Sequence, residues 1–200
     1  MTTENLEIRR IERDDCKEFL KTYHYLGQQG HSFRSGYNYG LYEEGSLIGV
    51  CIFTSMSAWE TIKGCFGLQN KEQKDFYELA RFAIDDQHHS VANLSSWFMS
   101  RCIKQLRKDT YVRAIITYAD TAQNHIGYIY QATNFKYYGL TDPKTDFFLL
   151  QDDGTYKLQR RGKTKNVSGE WRPRSQKRRY LMVFDKSLTV LWKEEKYPKA

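Results

Sequence analysis

Residues 118–135 read Tyr-Ala-Asp-Thr-Ala-Gln-Asn-His-Ile-Gly-Tyr-Ile-Tyr-Gln-Ala-Thr-Asn-Phe, and this stretch joins a strand, a turn and a helix around several reactive side chains. Just upstream, Ala114, Ile115 and Ile116 form an apolar, β-favouring run. Thr117 to Asp120 are therefore expected at the carboxyl end of a buried strand. Open α/β sheets place ligands at that end. Asn124 is the expected cap of a short helix that carries Ile126, Ile129 and Tyr130 at i, i+3 and i+4 on one face.

The order Asn124, then Tyr130, then Asn134-Phe135 resembles the last helix motif of the GCN5-related N-acetyltransferase superfamily, in which an Asn precedes a helix bearing a Tyr and Gly-Phe follows. The resemblance implies that Tyr130 protonates a leaving group. The alternative is one packing tyrosine among fifteen. Asn134 stands where the superfamily has Gly, and Asn tolerates a left-handed backbone better than most residues. A narrower resemblance lies in the joint order of His24-Tyr25-Leu26-Gly27, Glu78-Leu79-Ala80-Arg81-Phe82, Asn93-Leu94-Ser95-Ser96, Tyr118-Ala119-Asp120, His125-Ile126-Gly127 and Ile129-Tyr130-Gln131-Ala132. Over residues 20–140 the chain is similar to Mom-type phage DNA-modification proteins. That family shares the N-acetyltransferase-like fold and adds a carbamoylmethyl group to adenine amino groups, protecting phage DNA from restriction. The fold implied is α/β (α+β), a central mixed sheet flanked by helices, in one domain over 1–200. The candidate catalytic set is His24, Tyr25, Arg81, Ser95, Asp120 and Tyr130.

Length and composition suit such a fold. Two hundred residues can bury one core, and 40% hydrophobic residues with only three prolines describe a globular chain. Cys16, Cys51, Cys65 and Cys102 are dispersed without a Cys-x-x-Cys pair, so neither a zinc knuckle nor a disulfide framework is expected. Met1 to Glu7 lacks the blocks of a signal peptide, and no stretch approaches the roughly 18 apolar residues of a membrane span. A cytoplasmic protein is expected, in the host cytoplasm if phage-encoded, with no membrane partner.

The charge of +7 is uneven. Between Lys157 and Tyr180 ten Lys or Arg stand against the single acid Glu170, so this segment carries +9 and the remainder −2. A basic segment at 157–180, interleaved with Trp171, is suited to DNA phosphates and bases. Its candidate contacts are Arg160, Arg161, Lys163, Arg172, Arg174, Lys177, Arg178 and Arg179; a solvated loop without a partner is the plainer alternative.

Elsewhere the pattern predicts a strand at Leu6–Ile8 and a helix capped by Asp14 or Asp15 that carries Phe19, Leu20 and Tyr23 and ends near Gly27. A loop at 28–36 holding His31 and Arg34 follows. Strands at 37–42 and 47–54 flank a Glu43-Glu44-Gly45-Ser46 hairpin turn, with Gly45 supplying the positive φ. Residues 55–74 carry no assignable element and are read as a lid. Phe76–Ile84 is a strand in which simple alternation puts Glu78 and Arg81 on opposite faces. Ser90 or Asn93 caps a long amphipathic helix with Leu94, Phe98, Cys102 and Leu106 on its apolar side. Strands at 135–140, 146–151 and 180–184 complete the chain.

The loop at 86–93 contains no glycine, which argues against the close backbone approach that acetyl-CoA's pyrophosphate requires. Ser95 and Ser96 remain in the first turn of the following helix, where hydroxyls bind anions or simply cap. Arg81 suits a carboxylate or a structural ion pair. Asp120 suits a base, a metal ligand or a cap. His24, His125, Asp120 and a tyrosine are residue types that would suit iron, although no spacing here has the specificity of a metal motif. Two rivals to DNA-adenine modification stay open: an acyl-CoA-dependent N-acyltransferase acting on a protein or small amine, and a non-enzymatic nucleic-acid-binding module.

Overall fold

A computed structural model describes residues 5–25, 33–34, 36–56, 58–69, 72–159 and 164–199. The strands are β1 (Leu6–Arg10), β2 (Gly36–Glu43), β3 (Ser46–Ser55), β4 (Phe76–Ile84), β5 (Ala114–Asp120), β6 (Lys136–Leu140), β7 (Lys144–Leu150), β8 (Tyr156–Gln159), β9 (Gly169–Arg174) and β10 (Lys177–Val183). The helices are α1 (Arg13–Tyr23), α2 (Trp59–Phe66), α3 (Leu94–Asp109) and α4 (Tyr128–Ala132). A seven-stranded mixed sheet has the order β1-β2-β3-β4-β5-β10-β6, and a three-stranded sheet the order β8-β7-β9. The mixed α/β architecture is the one expected.

Local chemistry explains most of the elements. Glu44 and Gly45 both take positive φ, 48° and 83°, the left-handed pair that matches a two-residue hairpin to strand twist. Asn134 adopts φ 67°, so it serves where the superfamily pattern has Gly. α3 buries Leu94, Phe98, Met99, Cys102 and Leu106 against Cys51, Phe53 and Ile115 on one face of the large sheet. On the other face, α1 lays Cys16, Phe19 and Leu20 on Val50 and Ile52. Beside α1, α2 lays Ile62, Cys65 and Phe66 on Phe76, Ala114 and Ile116. All four cysteines are free and buried. Among the described residues no helix is long and apolar enough to cross a membrane.

Several expectations are corrected. Asp14 and Asp15 sit in the first turn of α1 rather than capping it; Glu12 is the cap residue and makes no side-chain cap bond. They act through the helix dipole instead. α1 ends at Tyr23, where His24 turns extended, and Gly27 and His31 lie outside the described residues. Residues 59–66, read as part of an unstructured lid, form α2, closed by Gly67 at φ 73° and packed onto the sheet. Burial of Ile62, Cys65 and Phe66 overrides the weak local pattern. Asn93 precedes α3 in a left-handed conformation without a side-chain cap bond.

The most consequential correction lies in β4. Its pairing with β3 shifts register between Ile52 and Phe53, which face Arg81 and Leu79, so Ala80 is an extra, bulged residue. A bulge reverses the side-chain alternation beyond it. Leu79 and Phe82 therefore both join the α3 side, and Glu78 and Arg81 share the α1 and α2 face. β4 also pairs with β5 only from Phe76 opposite Ala114 to Glu78 opposite Ile116, although both strands run on for several residues. Their carboxyl ends part, and a crevice opens between them.

Because α2 seals one face of the sheet, Ile62→Ala is expected to cost about 2–5 kcal/mol, as buried Ile truncations do. Urea unfolding monitored by circular dichroism measures it.

Candidate active site

The crevice is walled by residues brought together from four elements. Thr117, fully buried on β5, donates from Oγ1 to the Leu79 carbonyl at 3.1 Å, bridging the strands where they begin to part. Arg81 follows the bulge and donates from Nη1 to the Ala80 carbonyl at 2.6 Å, which holds its guanidinium against the bulged backbone. At the end of α1 the chain leaves the helix at His24, so the His24 and Tyr25 rings lie side by side, 4.4 Å between centroids. Tyr25 meets the edge of the His125 ring at 5.0 Å, which closes the ring of groups across to the segment after β5.

α4 supplies Tyr130. Asn124, expected to cap this helix, instead closes a 3₁₀ turn at Thr121–Gln123 with φ 53°, and Gly127, at φ 77°, occupies the position before α4. Gly127 is required twice over: a Cβ there would stand 2.5 Å from the Tyr180 ring. Tyr180 donates to the Ile126 carbonyl, and Gln131 Nε2 donates to the same carbonyl at 3.0 Å. Tyr130 packs between Phe135 (5.9 Å) and Tyr180 (5.2 Å), its hydroxyl hydrogen-bonded with Thr117.

Electrostatics sort these groups into roles. Burial depresses the His24 imidazole to about 4, helped by Arg81 and His125 nearby, so His24 is neutral at pH 7. Burial pushes the Tyr130 phenol up to about 12 against the Thr117 hydrogen bond, so it stays protonated and able to donate. Burial raises Tyr25, and the Asp120 carboxylate raises it further. Asp120 also accepts from Ala122 N at 2.9 Å and so caps the 3₁₀ turn, as the plainer reading had it. His24, Tyr25, Arg81, Asp120 and Tyr130 are thus brought within electrostatic or contact reach of one another. Ser95 lies on a separate element, the first turn of α3. Thr117, Tyr180 and Gln131 join the site without having been candidate site residues, although Thr117 stands at the strand end expected to hold a ligand and Gln131 within the Ile129-Tyr130-Gln131-Ala132 motif; Tyr180 reads in the sequence as an ordinary strand residue. Among the described residues no group of three or more His, Cys, Asp and Glu side chains is arranged to hold a metal.

The basic residues divide. Arg178 Nη1 donates to the His125 carbonyl at 2.9 Å and so steadies the crevice wall. Arg179 Nε donates to the Tyr138 carbonyl at 3.1 Å while its guanidinium covers the Trp192 ring at 4.6 Å. Arg172, Arg174 and Lys177 lie on the inserted sheet and at its root, and Arg160, Arg161 and Lys163 fall outside the described residues.

A mixed sheet opened between two parallel strands, with a tyrosine-bearing helix beside the opening, is the fold of the GNAT N-acetyltransferases. The chain is similar to an N-acetyltransferase from Staphylococcus aureus Mu50 (TM-score 0.52, 15% identity, covering 90% of this chain and 99% of that one). It is also similar to the ribosomal-protein-S18-alanine N-acetyltransferase from Escherichia coli (TM-score 0.53, 12% identity, 89% and 93% covered). A third likeness is yncA of Salmonella typhimurium, a structure holding acetyl-CoA (TM-score 0.53, 12% identity, 92% and 96% covered). No curated protein sequence matches. The Mom protein family matches residues 5–199, and the chain belongs to that family. Fold and family together support a transferase of the acyltransferase type.

Neutral, partly buried His24 makes stability depend on pH. Its folded-state value, about 4, lies below its ordinary 6.5, so the unfolded chain binds the proton more readily between these values. That contribution is complete above pH 6.5 and is lost as pH falls toward 4. The urea midpoint of the unaltered protein is expected to drop more between pH 7.5 and pH 5 than that of His24→Gln; parallel pH dependence of the two would contradict this.

Proposed function

We propose that the chain is a phage DNA-modification enzyme that transfers a carbamoylmethyl-type group to the adenine amino group, protecting the DNA from restriction. The observation that carries the reading is the convergence of His24, Tyr25, Arg81, Asp120 and Tyr130 at the opening between β4 and β5, in a member of the Mom family. As the new N–C bond forms, Asp120 takes the departing amino proton, and Tyr130, held protonated, supplies one to the leaving group. Arg81 holds the anionic end of the donor. The half-exposed Tyr25 ring offers the base a stacking face. In duplex DNA the amino group is engaged in pairing, so the adenine is flipped out to reach the crevice.

The donor differs from acetyl-CoA in this reading. Four amides of the loop after β4 bond within it: His88 N donates to Asp85 Oδ1 (2.9 Å), His89 N to Asp85 O (2.9 Å), Val91 N to His88 O (3.0 Å) and Leu94 N to Val91 O (3.2 Å). The His88 ring further bridges Asp85 (2.7 Å) and Glu43 (2.9 Å), which tie the loop to the β2–β3 hairpin. Hydrogen bonding to Asp85 and Glu43 raises the His88 imidazole above its ordinary value, strengthening the tie. These bonds set the shape of the loop, which lacks the glycines that would let a pyrophosphate approach its backbone closely. Calorimetric titration with acetyl-CoA is expected to show no saturable binding, whereas tight binding would favour the second reading, an acyl-CoA-dependent N-acyltransferase, which rests on the fold likeness.

Mass spectrometry of nucleosides from the DNA of cells expressing the protein tests the reaction directly, and modified deoxyadenosine is expected. Tyr130→Phe and Asp120→Asn should each lower its yield about 100-fold or more, the scale of a lost general acid or base. Asn retains capping ability, so the turn after β5 survives the second change. Unchanged thermal melts separate this from misfolding; undiminished modification by both variants would refute the assigned roles.

A further inference from the structure

β6 and β10 are antiparallel neighbours, with Arg178 opposite Leu140. Their open end is already closed by hydrogen bonds: Thr141 N to Lys177 O (2.8 Å), Lys177 N to Thr141 Oγ1 (3.0 Å) and Gln176 Nε2 to Thr141 O (2.6 Å). A turn of a few residues would join them. Instead the chain from 142 to 175 leaves this point, builds β7, β8 and β9, and returns. The root of this insertion is fixed to the crevice: Thr121, the residue after Asp120, donates to Gln176 O from both N (3.2 Å) and Oγ1 (2.6 Å), and Lys177 stands opposite Asp120.

Strand pairing sorts the insertion's faces. Lys144 lies opposite Arg174, and Asp146 opposite Arg172, so these four share one face. β9 is an edge strand with all six residues exposed. Arg174 grips the Asp146 carboxylate with Nε (2.9 Å) and Nη2. Arg172 pairs with Glu170 and lies over the Phe148 and Tyr156 rings at 4.6 and 4.7 Å. Both guanidinium groups are thereby held in place across the sheet, with ordering entropy already spent, and each keeps N–H donors for an outside acceptor. Exposed Lys144 stands beside them. From Arg174 to Lys177 is three residues, a reach of at most about 10 Å of chain. The cations thus form a track from the insertion to the lip of the crevice.

We propose that the inserted sheet is a DNA-gripping arm: Lys144, Arg172, Arg174 and Lys177 contact successive backbone phosphates of duplex DNA and lead the strand to the crevice. This rests on the reading of DNA as substrate. Four cations stand along this line against two acids, Asp146 and Glu170, an excess of the sign that a phosphate backbone requires, and the hydrogen bonds of Thr121 make the arm's orientation part of the site's own geometry.

The test measures binding of a fluorescently labelled duplex by anisotropy at several salt concentrations. A variant carrying Lys144→Gln, Arg174→Gln and Lys177→Gln is expected to bind at least 10-fold more weakly, and the slope of log affinity against log salt to shrink by about one per cation removed. Replacing 142–175 by Gly-Gly, which leaves β6 and β10 joined as a hairpin, should abolish duplex binding while circular dichroism and a cooperative melt persist. If that deletion misfolds, the triple variant decides alone. Unchanged affinity and slope in the triple variant overturn the arm. Should nucleoside mass spectrometry still find modified adenine with that variant at undiminished yield, the arm fails while the DNA reading stands; no salt-dependent duplex binding by the unaltered protein overturns both. Trp171 lies on the opposite face, stacked on Phe147 at 5.3 Å, so a loss confined to Trp171→Ala would overturn the choice of face.

Discussion

One extra residue in a strand governs this molecule. Ala80 has no counterpart on β3, and from that point β4 bends away from β5 instead of continuing the parallel ladder. Hydrogen bonding between parallel strands is slanted and evenly spaced, and once one strand bends the next rungs cannot form. The opening creates the crevice, and the reversed alternation turns Arg81 toward the end of α1. Thr117 and Arg81 answer the polar groups exposed at the break, one bonding the Leu79 carbonyl and the other the Ala80 carbonyl. Buried carbonyls left without donors would cost about 1–3 kcal/mol each, so both contacts stabilise the opened strand.

Around the opening, burial and neighbouring charge decide protonation. Desolvation holds His24 neutral and Tyr130 protonated in one small volume, and it widens the pH range of that arrangement, since an exposed histidine begins to charge near 6.5 and an exposed tyrosine to ionise near 10. Arg81 contributes by proximity, since a second cation beside it is disfavoured. The geometry in turn depends on β10. Tyr180 fixes the turn at Ile126 and backs Tyr130, and Arg178 holds the His125 carbonyl. An arginine inside a basic run therefore serves the crevice wall, and its neighbour Arg179 serves the packing of Trp192. Charge density along a sequence does not distinguish cations facing a partner from cations folded back onto the protein.

Much of this was legible in the residues. The apolar run at 114–116 placed β5, the Glu43-Glu44-Gly45-Ser46 turn placed the first hairpin, and the stripe from Leu94 to Leu106 placed α3, because each is a short-range pattern with one good solution. Motif order pointed to the family and to His24, Tyr25, Arg81, Asp120 and Tyr130, which the fold does bring together. α2 escaped notice because an eight-residue helix has too little periodicity to stand out, and what holds it is burial against strands far along the chain.

By itself the sequence determined most of the strands and helices, α2, β8 and β9 excepted, together with the left-handed turns at Gly45 and Asn134 and the unequal distribution of charge, all consequences of local backbone preference and side-chain type. Only the tertiary structure decided the rest: that Ala80 bulges, that β4 and β5 part, that Glu78 and Arg81 share a face, that Gly127 rather than Asn124 precedes α4, and that β10 enters between β5 and β6. The physical reason is the same in each case. A bulge, a parted ladder or an inserted strand is stabilised by partners distant in sequence, and no run of neighbouring residues carries the energy that selects it.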